Sequence, residues 1–348
     1  MPDQIPSTGR VAAVVYNPVK VDLDALKAAV AREEQAAGWS TTLWFETSVE
    51  DPGQGMTREA LDAGADMILA AGGDGTVRAV AEAIGDTETP LALLPSGTGN
   101  LLARNLKLTL DDLDHSVHSA FAGTDRRVDL AKIEIRRADR TVTKHSYVVM
   151  AGVGLDAKML QNTDEDLKKK VGWLAYVGAI ITSLKDRNRL SLEMSVDGAE
   201  PKKMHAHTVI VGNCGSLQAN VLLLPEAVVD DGLLDVVVMR PENLVGWAQV
   251  LHKIIWENGV LSRTPFGRRF RTKEVRALNY VRGKKLTVLL GQPEQIELDG
   301  DGFGEATAFK TWVEHEHLVV RVPQDDSAVQ EDSAAQEDKA VQEDGATV

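Results

Sequence analysis

One turn, Gly72-Gly73-Asp74-Gly75-Thr76-Val77, constrains this chain more than any other stretch. It is entered by the apolar run Asp66-Met67-Ile68-Leu69-Ala70, short and bounded like a buried parallel strand. It is left by Val77, Val80, Ala81 and Ile84, which recur at helical spacing. A strand-to-helix turn of this kind exposes N–H groups at a helix N-terminus, where the dipole also favours an anion. Glycine removes the Cβ that would hold a phosphate away from the main chain. Asp74 suits such a site when a cation such as Mg²⁺ bridges it to the phosphates, and Thr76 can add a hydroxyl donor. The same residues also suit a plain βα turn with Asp74 as the helix N-cap. Both readings stand at this point.

The flanking sequence repeats the pattern. Residues 11–16 form a continuous apolar strand followed by Asn17-Pro18, and residues 23–37 have helical periodicity ending at Gly38. A strand over 41–45 leads into Glu46-Thr47-Ser48, and a helix is predicted over 55–64. A short strand over 91–94 leads into Pro95-Ser96-Gly97-Thr98-Gly99-Asn100 and a helix from Leu101. Strands alternating with helices imply right-handed βαβ units and a parallel sheet. Ligands of such sheets bind beyond the carboxyl ends of the strands. Asn17, Thr47, the Gly72 loop and the Gly97 loop all follow strands, so all four fall on that edge. Four turns on one edge favour a nucleotide site.

After Arg126 the pattern changes. Strands are predicted at 128–135, 144–151, 190–196, 204–211, 234–239, 276–281, 286–290, 295–298, 308–313 and 318–322, with helices at 156–186 and 243–257. Strands without crossovers predict an antiparallel sandwich or barrel. The expected fold is therefore α/β followed by β. A Rossmann-like parallel-sheet nucleotide domain spans residues 10–126 and an antiparallel β-sandwich spans 127–322. Tails occupy 1–9 and 323–348.

Charge and composition narrow the function. A net charge of −14 argues against nucleic acid as a partner. Half of that charge lies beyond Pro323, where eight acids face Lys339 alone in a six-residue repeat of Gln followed by two acids. Such a segment buries too little apolar surface to order itself. Cys214 is the single cysteine, which excludes an internal disulfide and fits a reducing compartment. The N-terminus does not read as a secretion signal, and the longest apolar run, Val171 to Leu184, holds 14 residues, too short to span a bilayer. The expected location is cytoplasmic. Two basic stretches bear on membranes: Lys168-Lys169-Lys170 ahead of an amphipathic helix, and nine basic residues between Arg263 and Lys285 with Phe266 and Phe270 interleaved. Either could dock on anionic lipid, or be a buried helix and a solvated face respectively. His205/His207 and His315/His317 could each be half a zinc site, or ordinary exposed-face histidines. Asp299-Gly300-Asp301-Gly302 is either a hairpin turn or a carboxylate presented to a cleft.

Taken together, the ordered motifs resemble the diacylglycerol kinase catalytic family, which includes bacterial soluble lipid kinases and the sphingosine and ceramide kinases. The motifs are Asn17-Pro18, Gly72-Gly73-Asp74-Gly75-Thr76, Leu94-Pro95-Ser96-Gly97-Thr98-Gly99-Asn100 with Ala103-Arg104, and Gly152-Val153-Gly154-Leu155-Asp156-Ala157. They continue with Gly212-Asn213, Pro225-Glu226-Ala227, Asp231-Gly232-Leu233-Leu234-Asp235 and Asp299-Gly300-Asp301. The resemblance covers roughly residues 10–322. It implies ATP as phosphoryl donor and a membrane lipid alcohol, diacylglycerol above all, as acceptor, in a cleft between the domains. ATP contacts carry over to Asn17, Pro18, Thr47, Gly72, Gly73, Asp74, Gly75, Thr76, Val77 and Thr98. The general base carries over to Asp301. A structural Mg²⁺ site carries over to the Asp231 carboxylate and the carbonyls of Val228 and Leu233. The expected role is phospholipid biosynthesis at the inner membrane surface, as a monomer or homodimer. A sphingoid-base or ceramide-type kinase, and a catalytically weak ATP- or lipid-binding regulator, are the alternatives.

The chain departs from that pattern in places. Val19-Lys20 replaces Ser-Gly, Arg78 and Ala79 replace Asn-Glu, and Leu101 replaces an aspartate. The base position holds Asp301 instead of the commoner glutamate, a methylene shorter. Arg78 would add a cation for phosphate.

Overall fold

The apolar segments of the first hundred residues are parallel strands: β1 (Val11–Tyr16), β2 (Ser40–Glu46), β3 (Met67–Gly72) and β4 (Leu91–Pro95). The computed structural model describes residues 9–154, 190–216, 223–241 and 278–324. The predicted helices at 156–186 and 243–257, most of the Arg263 basic cluster and the acidic tail lie outside those residues. The connections are α1 (Leu23–Ala37), α2 (Gln54–Asp62), α3 (Asp74–Ile84), α4 (Leu101–Asn105) and α5 (Leu113–Ala122). Strand β3 is buried throughout, as expected where helices cover both faces of a parallel sheet. Even-numbered β1 residues Ala12 and Val14 pack with Leu26, Ala29 and Val30 of α1 and Val117 and Phe121 of α5. Odd-numbered Ala13 and Val15 pack with Val80 and Ile84 of α3 and Leu102 of α4. Asp22 and Asp112 cap α1 and α5, accepting from Ala25 N at 3.1 Å and His115 N at 2.9 Å. Helix α5 was not foreseen; its apolar stripe is interrupted by His115, His118 and two serines.

The remaining strands are β5 (Thr124–Arg136), β6 (Val142–Tyr147), β7 (Met150–Val153), β8 (Leu190–Val196), β9 (Lys202–Ala206) and β10 (Thr208–Gly212). They continue with β11 (Leu234–Met239), β12 (Leu278–Gly283), β13 (Lys285–Leu298) and β14 (Asp301–Val322). They pair antiparallel with one another and enclose a second core around Ile133, Ile135, Tyr147, Leu192, Val236 and Phe309. The segments 286–290 and 295–298 belong to one strand, β13, whose register against β14 shifts between Leu289 and Glu294. Pro293, unable to donate to a ladder, sits in that interruption. Likewise 308–313 and 318–322 are both β14, with an irregularity against β5 between Glu314 and Leu318. That irregularity takes His315 and His317 out of simple alternation and gives them different partners, Asp129 and Asp86.

One connection decides where the site lies. The end of β14 runs parallel to β4, pairing Val320 with Leu91 and Arg321 with Ala92. The strands therefore follow one another as β12-β11-β10-β7-β13-β14-β4-β3-β1-β2. The hairpin that joins β13 to β14 is thus held by continuous sheet to the strands that carry the glycine turns. Among the described residues no helix is long and apolar enough to cross a membrane.

Candidate active site

The loops that leave β1, β2, β3 and β4 are stitched together by their own backbones. Asn17 N donates to Ala71 O at 2.9 Å, Thr47 N to Tyr16 O at 2.9 Å, and Ser96 N to Gly72 O at 3.1 Å. Asn17, Thr47, the Gly72 loop and the Gly97 loop therefore share one edge, as the alternation of elements requires. The Asn17 side chain folds back to accept from Val19 N at 3.0 Å, a local turn typical of asparagine. Thr47 is buried, whereas Pro18 and Thr98 are exposed.

Helix α3 begins at Asp74, and its N-cap is Gly73 in an extended conformation with no side-chain cap. The first-turn N–H groups therefore have no capping side chain, the condition for an anion seat. Asp74 does not cap its own helix. Its carboxylate crosses to the next loop and accepts from Leu101 N, at the start of α4, at 2.6 Å. Burial pushes the Asp74 carboxyl above its ordinary range, against the backbone N–H groups that favour the charge. The two loops touch so closely that a Cβ on Gly97 would stand 2.7 Å from Gly73 Cα. Gly72 serves internal packing, since the space of its missing Cβ is filled by the buried Thr76 side chain.

On the facing side, Leu298 pairs with Asp301 across a two-residue hairpin whose central residues, Asp299 and Gly300, have φ of 49° and 90°. Two positive φ values define a type I′ turn, which Asp-Gly suits. Its side chains go beyond a turn. The buried Asp299 carboxylate accepts from Val148 N, Val149 N and Met150 N, each at 2.9 Å. Burial nevertheless raises its pKa to about 6, the three N–H donors opposing the shift. Anchored in this way, the turn delivers Asp301 to the glycine loop, where its Oδ2 lies 2.8 Å from the position a Gly75 Cβ would take.

Arg78 closes the contact. Its Nη2 donates to Asp301 Oδ2 at 3.1 Å, and its guanidinium lies 4.6 Å from the centre of the Phe303 ring. The Arg78 side chain is 4% exposed and that of Asp301 52%. Arg78, expected as a cation for phosphate, is thus bonded to the base candidate. Glu82, one turn further on α3, accepts from Ser146 N at 2.8 Å and faces His145. Burial opposes its charge, but His145 and that N–H outweigh the cost and hold its carboxyl below the usual range.

Comparison with known proteins adds the family. The diacylglycerol kinase catalytic domain matches residues 11–133, and the YegS C-terminal NAD kinase beta sandwich-like domain matches residues 148–311. A Pseudomonas putida protein named "Probable lipid kinase YegS-like" is 31% identical over 241 residues, 68% of this chain and 77% of that one. This chain belongs to the diacylglycerol kinase catalytic family. A Pseudomonas aeruginosa PAO1 relative of the same name is 33% identical over 227 residues, 64% of this chain and 70% of its own. A crystal structure of a diacylglycerol kinase from Bacillus anthracis Sterne shares the fold with a TM-score of 0.64 at 18% identity, covering 90% of this chain and 96% of that one. Yeast NADH kinase, solved with NADH, does so at 0.51 and 8% identity, covering 91% and 85%.

In this family member the loop expected to hold a structural Mg²⁺ contains its own cation. Asp231 Oδ2 is ion-paired with Arg282 Nη2, and Asp231 Oδ1 accepts from Leu233 N at 3.0 Å. Arg282 also reaches Asp235 at 3.2 Å and the Glu226 carbonyl at 3.2 Å. Val228 is exposed. A divalent ion at Asp231 would have to displace the guanidinium, so these residues do not fit a metal as they stand. Arg282, counted in the basic stretch, is therefore an internal counter-ion. Sequence reasoning passed over Asp129, a buried hub that accepts from Gly232 N at 2.7 Å, Glu316 N at 2.8 Å and the His315 ring at 2.8 Å. Among the described residues no cluster of three or more His, Cys, Asp or Glu could hold a metal. A cavity of about 260 Å³ opens between α1 and α5 at the carboxyl end of β4, where Leu94, Pro95 and Ser96 line it. Asp22, Asp111 and Asp112 line it against Lys20, which does not suit phosphate.

Proposed function

We propose that this chain is an ATP- and Mg²⁺-dependent lipid kinase that phosphorylates the hydroxyl of a membrane lipid alcohol. Diacylglycerol, giving phosphatidic acid and ADP, is the acceptor put first. The observation that carries the reading is the placement of Asp301, from the β half of the chain, against the glycine loop of the α/β half. Phosphoryl transfer asks mainly for positioned phosphates and a carboxylate that takes the hydroxyl proton. The uncapped start of α3 seats the phosphates, with Asn17, Thr47 and the Gly97 loop on the same edge. As the lipid oxygen bonds to the γ-phosphorus, the bond to the β–γ bridging oxygen breaks and the hydroxyl proton passes to Asp301. Burial raises the Asp74 carboxyl, and the nearby Asp301 charge adds to that rise. Asp301 is already paired with Arg78, so Asp74 is the residue that would hold the Mg²⁺ that accompanies the nucleotide. When bound, that ion withdraws charge from the phosphates.

The family model and the relatives named as lipid kinases support a lipid acceptor. The exposed Lys284 and Lys285 continue the basic stretch that would meet an anionic inner membrane surface. Radiolabelled ATP, offered with vesicles containing diacylglycerol, sphingosine or ceramide and separately with NAD, tests the assignment. Labelled phosphatidic acid is the expected product. Label on a sphingoid lipid would move the acceptor, whereas label on NAD, or on nothing, would overturn the lipid-kinase reading.

A further inference from the structure

Arg78 is buried beside the glycine loop, yet its bonds are unlike those of a structural arginine. Three carboxylates surround it. It acts electrostatically on the buried Asp299 and Glu82, but its hydrogen bond goes to the half-exposed Asp301. Glu82 stands four residues on along α3, where an arginine ordinarily finds a partner, but it is engaged by Ser146 and His145. Arg78 Nε and Nη1 are buried without a hydrogen-bond partner among the described residues. Leaving buried donors unpaired is a cost to the folded state that a residue kept for stability alone would not sustain.

The geometry around Asp301 shows what the arrangement achieves. Asp301 and Phe303 lie two residues apart on β14, hence on one face of the strand. The Arg78 guanidinium stacks on Phe303 and bonds Asp301 from that face. Oδ2 is thereby held, while Oδ1 has no partner among the described residues. Stacking fixes the guanidinium plane, so the carboxylate it bonds is fixed as well. Gly75, on the same helix, leaves room for that carboxylate against the phosphate loop.

We propose that Arg78 is the positioning residue of the transfer: anchored on the helix that seats the phosphates, it holds Oδ2 of Asp301 so that Oδ1 faces the acceptor hydroxyl. This rests on the reading of Asp301 as general base. The proton leaves the hydroxyl for Oδ1, the new O–P bond forms, and Arg78 exchanges no proton. Its contribution passes wholly through Asp301. A misplacement of about 1 Å at a reacting group can cost on the order of a hundredfold in rate, so this tether is worth a large part of kcat.

The test is a double-variant cycle on kcat for lipid phosphorylation, with Kd for ATP and thermal midpoint measured alongside. Arg78→Met keeps a long stem over Phe303 and removes the charge; Arg78→Lys keeps the charge and provides a folded control. We expect Arg78→Met to lower kcat about tenfold or more with the ATP Kd within about twofold, and Arg78→Lys to recover part of the loss. In the Asp301→Asn background, Arg78→Met should change the residual rate less than about twofold. Multiplying losses in the double variant would overturn the proposal, because Arg78 would then act on its own. A weakened ATP Kd with unchanged kcat would overturn it too, making Arg78 a phosphate ligand. An unimpaired Asp301→Asn enzyme would instead remove the general base, and is read in that variant alone.

Discussion

Replacing Gly73 with alanine separates the phosphate seat from the fold that carries it. Gly73 has φ of −93° and ψ of −171°, which alanine adopts without strain. The nearest atom to the new Cβ would be Gly97 Cα at 3.8 Å, an ordinary contact. The protein itself therefore accepts the methyl group. The cost to stability is that of alanine at an N-cap, about 1 kcal/mol at most, or a few degrees in the thermal midpoint. A phosphate resting on this main chain does not accept it, because the methyl group stands where the anion approaches the first-turn N–H groups of α3. Losing one charge-assisted hydrogen bond removes about 1.5–3 kcal/mol, which is roughly a ten- to hundredfold weaker Kd. Calorimetric titration with a non-hydrolysable ATP analogue, paired with a thermal melt, reads both quantities. Gly97→Ala is the contrasting variant. Its Cβ would meet Gly73 Cα at 2.7 Å and must push the loops apart, so midpoint and affinity should fall together. An ATP affinity within threefold of wild type in Gly73→Ala, with the fold intact, would refute the phosphate seat.

Other residues give sharper outcomes still. Asp301→Asn should lower kcat by about 10²–10⁴ while ATP binding persists, and full turnover in the variant would remove it as base. Asp299→Asn replaces a carboxylate that accepts three N–H donors with an amide offering one oxygen, which should cost about 1–3 kcal/mol at neutral pH in a denaturant titration. The wild-type Asp299 carboxyl is raised from 3.8 to about 6, so its protonated form is favoured in the folded state. The stability this gives is fully present below pH about 4 and lost as pH rises through about 6, by up to about 3 kcal/mol; superimposable stability–pH curves for wild type and Asp299→Asn would contradict the assignment. Arg282→Ala leaves Asp231 and Asp235 without their cation and should cost about 1–2 kcal/mol, given the partial exposure of the pair. Millimolar Mg²⁺ should leave the wild-type midpoint unchanged, and a clear upward shift would show that a metal competes successfully with the guanidinium.

What the sequence discloses and what it hides divide along a physical line. Strand ends on one edge of a parallel sheet follow from connectivity, so the order of elements alone places Asn17, Thr47, Gly72 and Gly97 together. The hairpin at Asp299 and Gly300 was likewise readable, because Asp-Gly between apolar runs demands positive φ. Long-range partners follow from no local rule. Asp74 was weighed as a cap for its own helix, yet it caps α4 across the loop, 27 residues on. The family resemblance implies Asp231 as a metal ligand, and nothing near it in sequence announces Arg282, 51 residues later, as its counter-ion. Arg78 and Asp301, 223 residues apart, were separate departures from the family's pattern, one a long cation in place of an amide and the other a shortened acid. The structure makes them a single contact. A carboxylate one methylene shorter reaches less far from its strand, and a guanidinium on the facing helix reaches further. Neither position is interpretable alone, because only the sheet that joins β13, β14 and β4 brings the hairpin over the glycine loop.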